Sequence, residues 1–371
     1  MPQVLITGGA GFIGSHVADH LLAAGYRVRV LDNCALQVHG PLSGPPAYLA
    51  SEVEYVRGDV RDGDAVERAL LGVDAVLHLA AMVGVGQSMY EVERYTAVND
   101  LGTATLMQAL LERPVGRLVV ASSMSVYGEG RYLTAAGEIC DHAERDAARI
   151  RAGAWEPTDG AGAPLRAIAT PEEKKPSLRS VYALNKYAQE RMSLLIGEAY
   201  GIPTIALRLF NVYGTRQALS NPYTGVLAIF AARLLNGNRP RVFEDGAQRR
   251  DFVHVGDVAR ACRLALEAPD EVSGAFNIGS GESRTVRDVA IQLASTMGRP
   301  ELAPEITGRY RTGDVRHCFA DIGRARAALG FEPQVAFEDG LEELAAWLAD
   351  ATAIDRVDQA TEELARRGLV A

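Results

Sequence analysis

The sequence predicts an α/β protein in which a doubly wound parallel sheet is followed by a smaller, mixed α/β domain. Two observations predict this fold. Up to about residue 210, short apolar runs alternate with longer segments of helical period, which is the pattern of βαβ units. A cluster of glycines also separates the first apolar run from the first helical segment, as dinucleotide-binding sheets require.

Six apolar runs are predicted to form the parallel sheet, with helices on both of its faces. The predicted strands are residues 4–7, 27–31, 53–57, 75–79, 118–122 and 204–208. The predicted helices are 15–24, 65–71, 102–112 and 182–200, followed by 226–235, 286–297, 341–349 and a charged surface helix at 354–367. We therefore predict a Rossmann domain over 1–212, with an insertion at about 129–179. A substrate domain occupies mainly 213–371, from which some segments return to the first domain.

The composition excludes several classes of protein. A chain of 371 residues with 48% hydrophobic residues is long enough for two cores, and a net charge of −9 does not favour nucleic acid as a partner. The four cysteines lie far apart without a C-x-x-C pair, so we predict no metal site and a cytoplasmic location. No segment resembles a signal peptide or a membrane span, so we expect no membrane association.

The glycine cluster after the first strand predicts a dinucleotide-binding loop. It reads Gly8-Gly9-Ala10-Gly11-Phe12-Ile13-Gly14, which allows a tight turn and a close approach of the backbone to a pyrophosphate at a helix N-terminus. Asp32 follows 18 residues after Gly14, at the end of the second strand, where a carboxylate binds ribose hydroxyls. Because this acid repels a 2′-phosphate and Asn33 rather than arginine follows it, NAD is preferred to NADP.

Tyr182 and Lys186 are the candidate catalytic pair. They are four residues apart on a predicted helix, so their side chains share one face. A phenol with a pKa of about 10 is a poor base at neutral pH, but a nearby ammonium group favours the phenolate. Ser122 and Ser123 stand at the end of the fifth strand, at the edge of the sheet where ligands bind, and a hydroxyl there can bind a reacting alcohol or ketone.

These motifs together resemble the extended short-chain dehydrogenase/reductase family, specifically its NAD-dependent nucleotide-sugar epimerases and dehydratases. Further residues that carry the resemblance are Asn99, the run Arg208 to Gly214, the run Arg249 to Val255 and Arg311 to Asp314. The resemblance spans residues 3 to 350 and implies a homodimer with NAD as its cofactor and a nucleoside diphosphate sugar as its substrate.

The resemblance also implies a role for each matching residue. Ser123, Tyr182 and Lys186 are the implied catalytic residues: Ser123 binds the sugar C4 oxygen, Tyr182 moves its proton, and Lys186 binds the nicotinamide ribose. The cofactor-binding residues are Gly8, Gly11, Phe12, Ile13, Gly14, Asp32, Asn33, Asp59, Val60, Leu79, Ala80, Ala81 and Asn99, with Tyr182 and Lys186. The substrate-binding residues are Ser123, Asn211, Val226, Phe243, Arg250 and Arg311. Arg250 and Arg311 contact the diphosphate, and Phe243 flanks the base. Apart from the resemblance, we expect Asp251 to support the neighbouring Arg250.

The residues after Ser123 favour epimerisation over dehydration. Dehydratases of the family carry an Asp-Glu pair there as acid and base, whereas this chain has Met124 and Ser125. Oxidation at C4, turnover of the keto sugar and return of the hydride require only the serine, tyrosine, lysine and NAD. A binding protein without turnover remains the alternative from another class.

The insertion bears on the identity of the sugar. Its segment Ala154-Trp155-Glu156-Pro157 is similar to enzymes of dTDP-L-rhamnose 4-epimerisation, although Thr158 to Ala161 replaces their Cys-Pro-x-Cys. A dTDP-deoxyhexose such as dTDP-L-rhamnose is therefore the predicted substrate, and UDP-glucose or UDP-glucuronate is the alternative. Since the insertion begins just after Ser123 and ends just before Tyr182, we expect it to cover the sugar end of the cleft.

Overall fold

The computed structural model describes residues 1–371 and confirms the α/β fold. The strands are β1 (Gln3–Thr7), β2 (Arg27–Asp32), β3 (Glu54–Arg57), β4 (Ala75–His78), β5 (Arg117–Ser123), β6 (Arg131–Leu133), β7 (Ile139–Cys140), β8 (Arg166–Ile168), β9 (Thr204–Leu209), β10 (Asn211–Tyr213), β11 (Arg241–Val242), β12 (Arg249–Arg250), β13 (Phe252–His254), β14 (Gly274–Ile278), β15 (Arg284–Thr285), β16 (Glu305–Ile306) and β17 (His317–Cys318). The α-helices are α1 (Phe12–Ala23), α2 (Leu36–His39), α3 (Gly63–Ala69), α4 (Val85–Ser88), α5 (Val92–Thr96), α6 (Gly102–Glu112), α7 (Ala147–Arg151), α8 (Val181–Tyr200), α9 (Val226–Leu235), α10 (Val255–Glu267), α11 (Val286–Thr296), α12 (Gly323–Leu329), α13 (Phe337–Leu348) and α14 (Val357–Arg366).

Seven parallel strands form the large sheet in the order β14-β9-β5-β4-β1-β2-β3. Both faces are buried because side chains alternate along each strand. In β1, Val4 and Ile6 pack with α1, α10 and α12, whereas Leu5 packs with α3 and α6 on the opposite face. This two-sided burial explains why the strands appear in the sequence as nearly continuous apolar runs.

All six predicted strands are present, and the sheet has one more. The strand β14 pairs with β9, and α10 packs against α1 on the same face of the sheet. Residues 255–278 therefore lie with the large sheet although they follow residue 212 in the sequence. The short sequence Gly-Ala-Phe-Asn-Ile of β14 does not form a run of strong strand formers, which is why it was not predicted.

A second core lies outside the large sheet. The helices α9, α11 and α13 pack around Tyr213, Val242 and Phe252, and this group supplies the smaller mixed domain. No helix of the structure is both long and apolar enough to cross a membrane.

The insertion has a structure of its own. Strands β6, β7 and β8 form a small antiparallel sheet over Tyr132, Ala143 and Leu165. The short helix α7 begins after Asp146, whose carboxylate accepts hydrogen bonds from the N–H groups of Ala148 and Arg149.

Candidate active site

The glycine loop has the geometry that close approach of a pyrophosphate requires. At Gly8, φ is +70° and an added Cβ would lie 2.8 Å from the backbone of Ala80. At Gly14, an added Cβ would lie 2.5 Å from the carbonyl oxygen of Gly8. No side chain caps α1 after its N-cap, Gly11, so the N–H groups of residues 12–14 are available to an anion. The loop therefore fits the diphosphate of a dinucleotide.

Asp32 lies at the carboxyl end of β2, beside the glycine loop. Its carboxylate accepts hydrogen bonds from the N–H groups of Ala10, at 3.0 Å, and Cys34, at 2.8 Å. These bonds fix the orientation of the carboxylate while leaving acceptor capacity for ribose hydroxyls. The carboxylate thus fits NAD better than a cofactor with a 2′-phosphate.

Asn33, Asp59 and Val60 lie at the predicted adenosine end. The amide of Asn33 donates to Asp59 at 3.0 Å, and the guanidinium of Arg61 lowers the pKa of Asp59 well below its usual range. The side chain of Val60 is buried, and an added Cβ on Gly102 would lie 2.6 Å from it. Val60 can therefore offer only its backbone to a cofactor, because its side chain belongs to the core.

The end of β4 is fixed by Asn99. The side chain of Asn99 accepts a hydrogen bond from the N–H of Met82 at 2.7 Å and donates one to its carbonyl at 3.1 Å. The hydroxyl of Thr7 accepts from the N–H of Ala80 at 3.3 Å. Asn99 is fully buried and holds the backbone of Met82, which directly follows residues 79–81 beside the glycine loop.

Ser123 ends β5, which packs against α8, the helix that carries Tyr182 and Lys186. Ser123 is the last residue of β5, and its hydroxyl accepts hydrogen bonds from the N–H of Ser125, at 3.2 Å, and from its hydroxyl, at 3.0 Å. The helix α8 begins after Ser180, whose hydroxyl accepts from the N–H of Ala183 at 3.1 Å. This cap places Tyr182 in the first turn of the helix and Lys186 one turn later.

Burial disfavours ionisation of the Tyr182 phenol. Burial raises the pKa of Tyr182, and the interaction with the Ser123 hydroxyl opposes this only in part. Burial also lowers the pKa of Lys186 to about 7, and the charge of Glu190 opposes that shift. Desolvation is thus the largest influence on the pKa of both groups, and the lowering of the Tyr182 pKa by Lys186 together with a nicotinamide cation stays a prediction.

A buried polar network beneath Lys186 was not predicted from the sequence. The Lys186 amino group donates to Gln189 at 2.8 Å, and the amide of Gln189 donates to Thr103 at 2.8 Å. His78 joins the network through Thr103, at 2.9 Å, and Thr7, at 2.7 Å. Gln189 lies one turn after Lys186 on α8, and this spacing was the only available sequence signal.

Asn211 offers an unpaired polar atom. Its Oδ1 is buried without a hydrogen-bond partner in the protein, while its backbone N–H donates to the carbonyl of Asp251 at 3.0 Å. Such an atom fits a residue that binds a ligand. Val226, another predicted substrate contact, is the half-buried first residue of α9, whose N-terminus no side chain caps.

Three predicted substrate contacts lie close together: Arg311 lies over the ring of Phe243, and Arg250 and Arg311 both pair with Asp314. The guanidinium of Arg311 lies 5.0 Å from the ring centre of Phe243 and bonds to Asp314 at 2.8 Å. Arg250 is more buried, and its guanidinium donates to the carbonyls of residues 315 and 316. Of the two predicted diphosphate ligands, Arg311 is thus the more exposed.

The role expected for Asp251 is wrong. Its carboxylate does not contact Arg250 but accepts hydrogen bonds from the N–H groups of Ser280, Gly281 and Ala320. Burial raises its pKa to about 6, while these bonds oppose the shift. Asp251 therefore holds the loop after β14.

This constellation, a glycine loop and acid for a dinucleotide beside a Ser-Tyr-Lys set, defines a short-chain dehydrogenase/reductase type of enzyme. Comparison with known proteins agrees, since the NAD dependent epimerase/dehydratase family matches residues 4–147 and 157–279. The chain belongs to this family. NAD is its cofactor, and it is an enzyme of the nucleotide-sugar epimerase kind.

Three relatives illustrate the range of the family. The chain is 37% identical over 351 residues to the dTDP-L-rhamnose 4-epimerase of Burkholderia thailandensis, covering 94% of this chain and 95% of the relative. The UDP-glucose 4-epimerase of Thermus thermophilus, solved with NAD, has a TM-score of 0.76 at 33% identity, covering 94% of this chain and all of that one (100%). A dTDP-glucose 4,6-dehydratase of Streptomyces venezuelae, also with NAD bound, has a TM-score of 0.76 at 28% identity, covering 94% and 97%.

Proposed function

We propose that the protein is a nucleotide-sugar 4-epimerase whose substrate is a dTDP-deoxyhexose such as dTDP-L-rhamnose. The observation that carries the 4-epimerase assignment is a complete Ser123, Tyr182 and Lys186 set followed by Met124 and Ser125. The sugar assignment is supported by the 37% identity to a dTDP-L-rhamnose 4-epimerase. UDP-glucose or UDP-glucuronate is the alternative substrate, supported by the similarity to UDP-glucose 4-epimerases.

In this proposal the protein's own residues bind the sugar and move one proton. Ser123 holds the C4 oxygen by a hydrogen bond, and Tyr182 as phenolate takes the proton of the C4 hydroxyl. NAD, when bound, supplies the hydride acceptor for C4 and the hydride donor for the return. Tyr182 then returns its proton to the C4 oxygen after the keto sugar has presented its other face. Lys186 holds the cofactor ribose, and its positive charge favours the phenolate.

The two residues that follow Ser123 disfavour dehydration. Met124 and Ser125 lie in the 3₁₀ turn after β5, and neither side chain can act as the acid and base that loss of water across C5 and C6 needs. The nearest acid in the sequence, Glu129, is buried and pairs with Arg145 at 3.0 Å. A 4,6-dehydratase is therefore the weaker proposal.

The proposal includes a homodimer in the cytoplasm. Leu184 and Leu195 are about half exposed on α8, and Leu101 is similarly exposed beside it, which supports an apolar contact with a second copy. The four cysteines are free, as a reducing compartment requires. Sedimentation of the purified protein tests the dimer.

The direct test of the proposed function is a panel of dTDP and UDP sugars, with products resolved by NMR. We expect dTDP-L-rhamnose to be converted reversibly into its C4 epimer, with Tyr182→Phe as the inactive control. A better rate with UDP-glucose or UDP-glucuronate would transfer the assignment to the alternative. Accumulation of a dehydrated keto sugar, or inactivity with the whole panel, would overturn it.

A further inference from the structure

We propose that the insertion positions the nucleotide end of the substrate site, with Arg145 and Glu156 as positioning residues for Phe243 and Arg311. The ligand class is a nucleoside diphosphate, and the inference rests on the proposed function. It adds to the expectation that the insertion covers the sugar end of the cleft, because the buried ionic contacts of the insertion lead to the turn at 243–246 and to the segment 310–317.

Arg145 joins three segments through one guanidinium. It pairs with Glu129 at 3.0 Å, at the start of the insertion, and with Glu244 at 2.5 Å, and it donates to the carbonyl of Asp314 at 2.5 Å. All three guanidinium nitrogens therefore have a partner, and the side chain is only 7% exposed. A lysine cannot make this set of bonds, because it has a single charged nitrogen.

Glu156 acts on the same turn through Arg316. Its carboxylate pairs with Arg316 at 2.5 Å and with His317 at 2.9 Å. Arg316, almost completely buried, also pairs with Glu244 at 2.9 Å and Asp245 at 2.7 Å. The insertion and the 243–246 turn thus both contribute carboxylates to the buried guanidinium of Arg316.

The turn at 243–246 needs such support because its backbone is strained. Glu244 has φ of +54°, a left-handed conformation that is unfavourable for a residue with a side chain. Its carboxylate is held by both Arg145 and Arg316, which keeps the residue in this conformation. The preceding residue, Phe243, is thereby presented to the guanidinium of Arg311.

The charge balance points to the same conclusion. Five carboxylates lie in this network, against four guanidinium groups. The carboxylates are those of Glu129, Glu156, Glu244, Asp245 and Asp314, and the guanidinium groups are those of Arg145, Arg250, Arg311 and Arg316. Loss of Arg145 would add one uncompensated negative charge beside the proposed diphosphate site, so anion binding should weaken even if the turn kept its shape.

The insertion also contacts the segment 310–317 through an aromatic pair. The ring of Trp155 packs against Tyr310, with centroids 6.4 Å apart, one residue before Arg311. Because Trp155 is only partly buried, its removal tests the positioning with less risk to folding than the loss of a buried ion pair.

The experiment compares Arg145→Lys and Trp155→Ala with a control, Arg131→Lys. Arg131 belongs to the same insertion and pairs with Asp141 and Glu173, but its side chain does not contact the 243–246 turn. Calorimetric dissociation constants for UDP and dTDP are measured together with kcat, KM, bound NAD and the melting temperature. For the two test variants we expect binding of the preferred nucleotide and KM to weaken by about tenfold, with kcat within about twofold and NAD content unchanged.

The outcomes separate this inference from the proposed function. If the wild type binds UDP or dTDP and both test variants bind it equally well, the positioning role is wrong. A fall in kcat at unchanged KM in the test variants, or an equal effect of Arg131→Lys, would also overturn it. If the wild type binds neither nucleotide, it is the proposed function that fails.

Discussion

Tyr182 illustrates how far the chemistry of a single residue follows from its position. The sequence spacing places it with Lys186 on one face of α8, and the structure brings Tyr182 to Ser123 at the end of β5. Its pKa is nonetheless raised by burial, which the interaction with the Ser123 hydroxyl offsets only in part. The residue types were predictable from the motif, but their protonation depends on what packs around them.

Replacing Tyr182 by phenylalanine removes the proposed base and keeps the ring. We expect C4 oxidation to slow by at least about 100-fold, the usual scale of general-base catalysis, and Ser123→Ala to cost less. Rapid mixing of enzyme with nucleotide sugar, followed by the absorbance of reduced cofactor, measures this step. A folded, NAD-loaded Tyr182→Phe variant that oxidises sugar at the wild-type rate would assign the base elsewhere.

We predict that Asp32 sets the choice of cofactor through its charge. Asp32→Ala removes the carboxylate acceptor for ribose hydroxyls and the repulsion of a 2′-phosphate, so NAD affinity should fall by roughly tenfold or more while NADP affinity rises. Binding of both cofactors to NAD-free protein measures the ratio. Glu67→Ala, at an exposed position on α3, is the control. An unchanged preference for NAD would show that other contacts select the cofactor.

The lowered pKa of Glu156 predicts that the stability of the protein depends on pH. Burial raises its pKa, but the hydrogen bonds from His317 and Arg316 outweigh this and lower it from 4.5 to about 2. A lowered carboxyl pKa stabilises the folded state above the usual pKa, and this contribution is lost as the pH falls from about 4.5 to about 2. Melting temperatures should therefore fall more steeply between these pH values for the wild type than for Glu156→Gln. Parallel curves for the two proteins would contradict the assignment.

Among the secondary-structure elements, those with a strong apolar pattern were predictable from the sequence and those with a weak pattern were not. The six predicted strands are rich in apolar residues because both faces of the sheet are buried. Strand β14 contains Asn277, whose buried amide donates to the carbonyls of Thr170 and Asp321. The insertion was recognised by its glycines and prolines, but its ionic contacts with Arg316 depend on tertiary structure and have no signal in the sequence.

The helix α14 links two distant parts of the chain. Leu364 lies against Gly86, and Arg367 lies over the ring of Tyr90 at 4.3 Å, whereas Asp358 pairs with Arg233 at 2.9 Å. Leu364 also lines a small cavity with residues 85, 86 and 89 and with Arg311. A helix predicted from the sequence only as a charged surface element therefore forms part of the wall beside the proposed diphosphate site.

Leu364→Asp should detach α14, because it removes a buried side chain and buries a charge, at a cost of about 2–5 kcal/mol. We expect new protease cleavage between residues 349 and 356 and a KM for the nucleotide sugar raised several-fold. Limited proteolysis with mass spectrometry checks the first result and steady-state kinetics the second. Ile354→Asp, at an exposed position of the same segment, is the control. Wild-type proteolysis and kinetics in Leu364→Asp would show that α14 has no part in closing this site.

For the whole molecule, the parallel sheet determines where the candidate cofactor-binding and catalytic residues lie. The carboxyl ends of β1, β2, β4, β5 and β9 all lie at one edge, so Gly8, Asp32, Ala80, Ser123 and Asn211 are gathered there by topology. The position of these five residues at one edge was predictable once the strands were recognised. Phe243, Arg250 and Arg311 come from irregular segments of the smaller domain, and only the family resemblance indicated them.

The assembled site predicts that NAD stays bound through turnover. The hydride taken from C4 must return to the same sugar, so release of the reduced cofactor between the two steps would strand the ketone. The purified protein should contain NAD, and a substrate carrying deuterium at C4 should keep its label in the product when excess unlabelled NAD is added. Mass spectrometry of the product and of the added NAD measures this retention. Loss of the label to the added cofactor, or consumption of stoichiometric NADH with turnover, would identify a reductase that exchanges its cofactor in place of an epimerase.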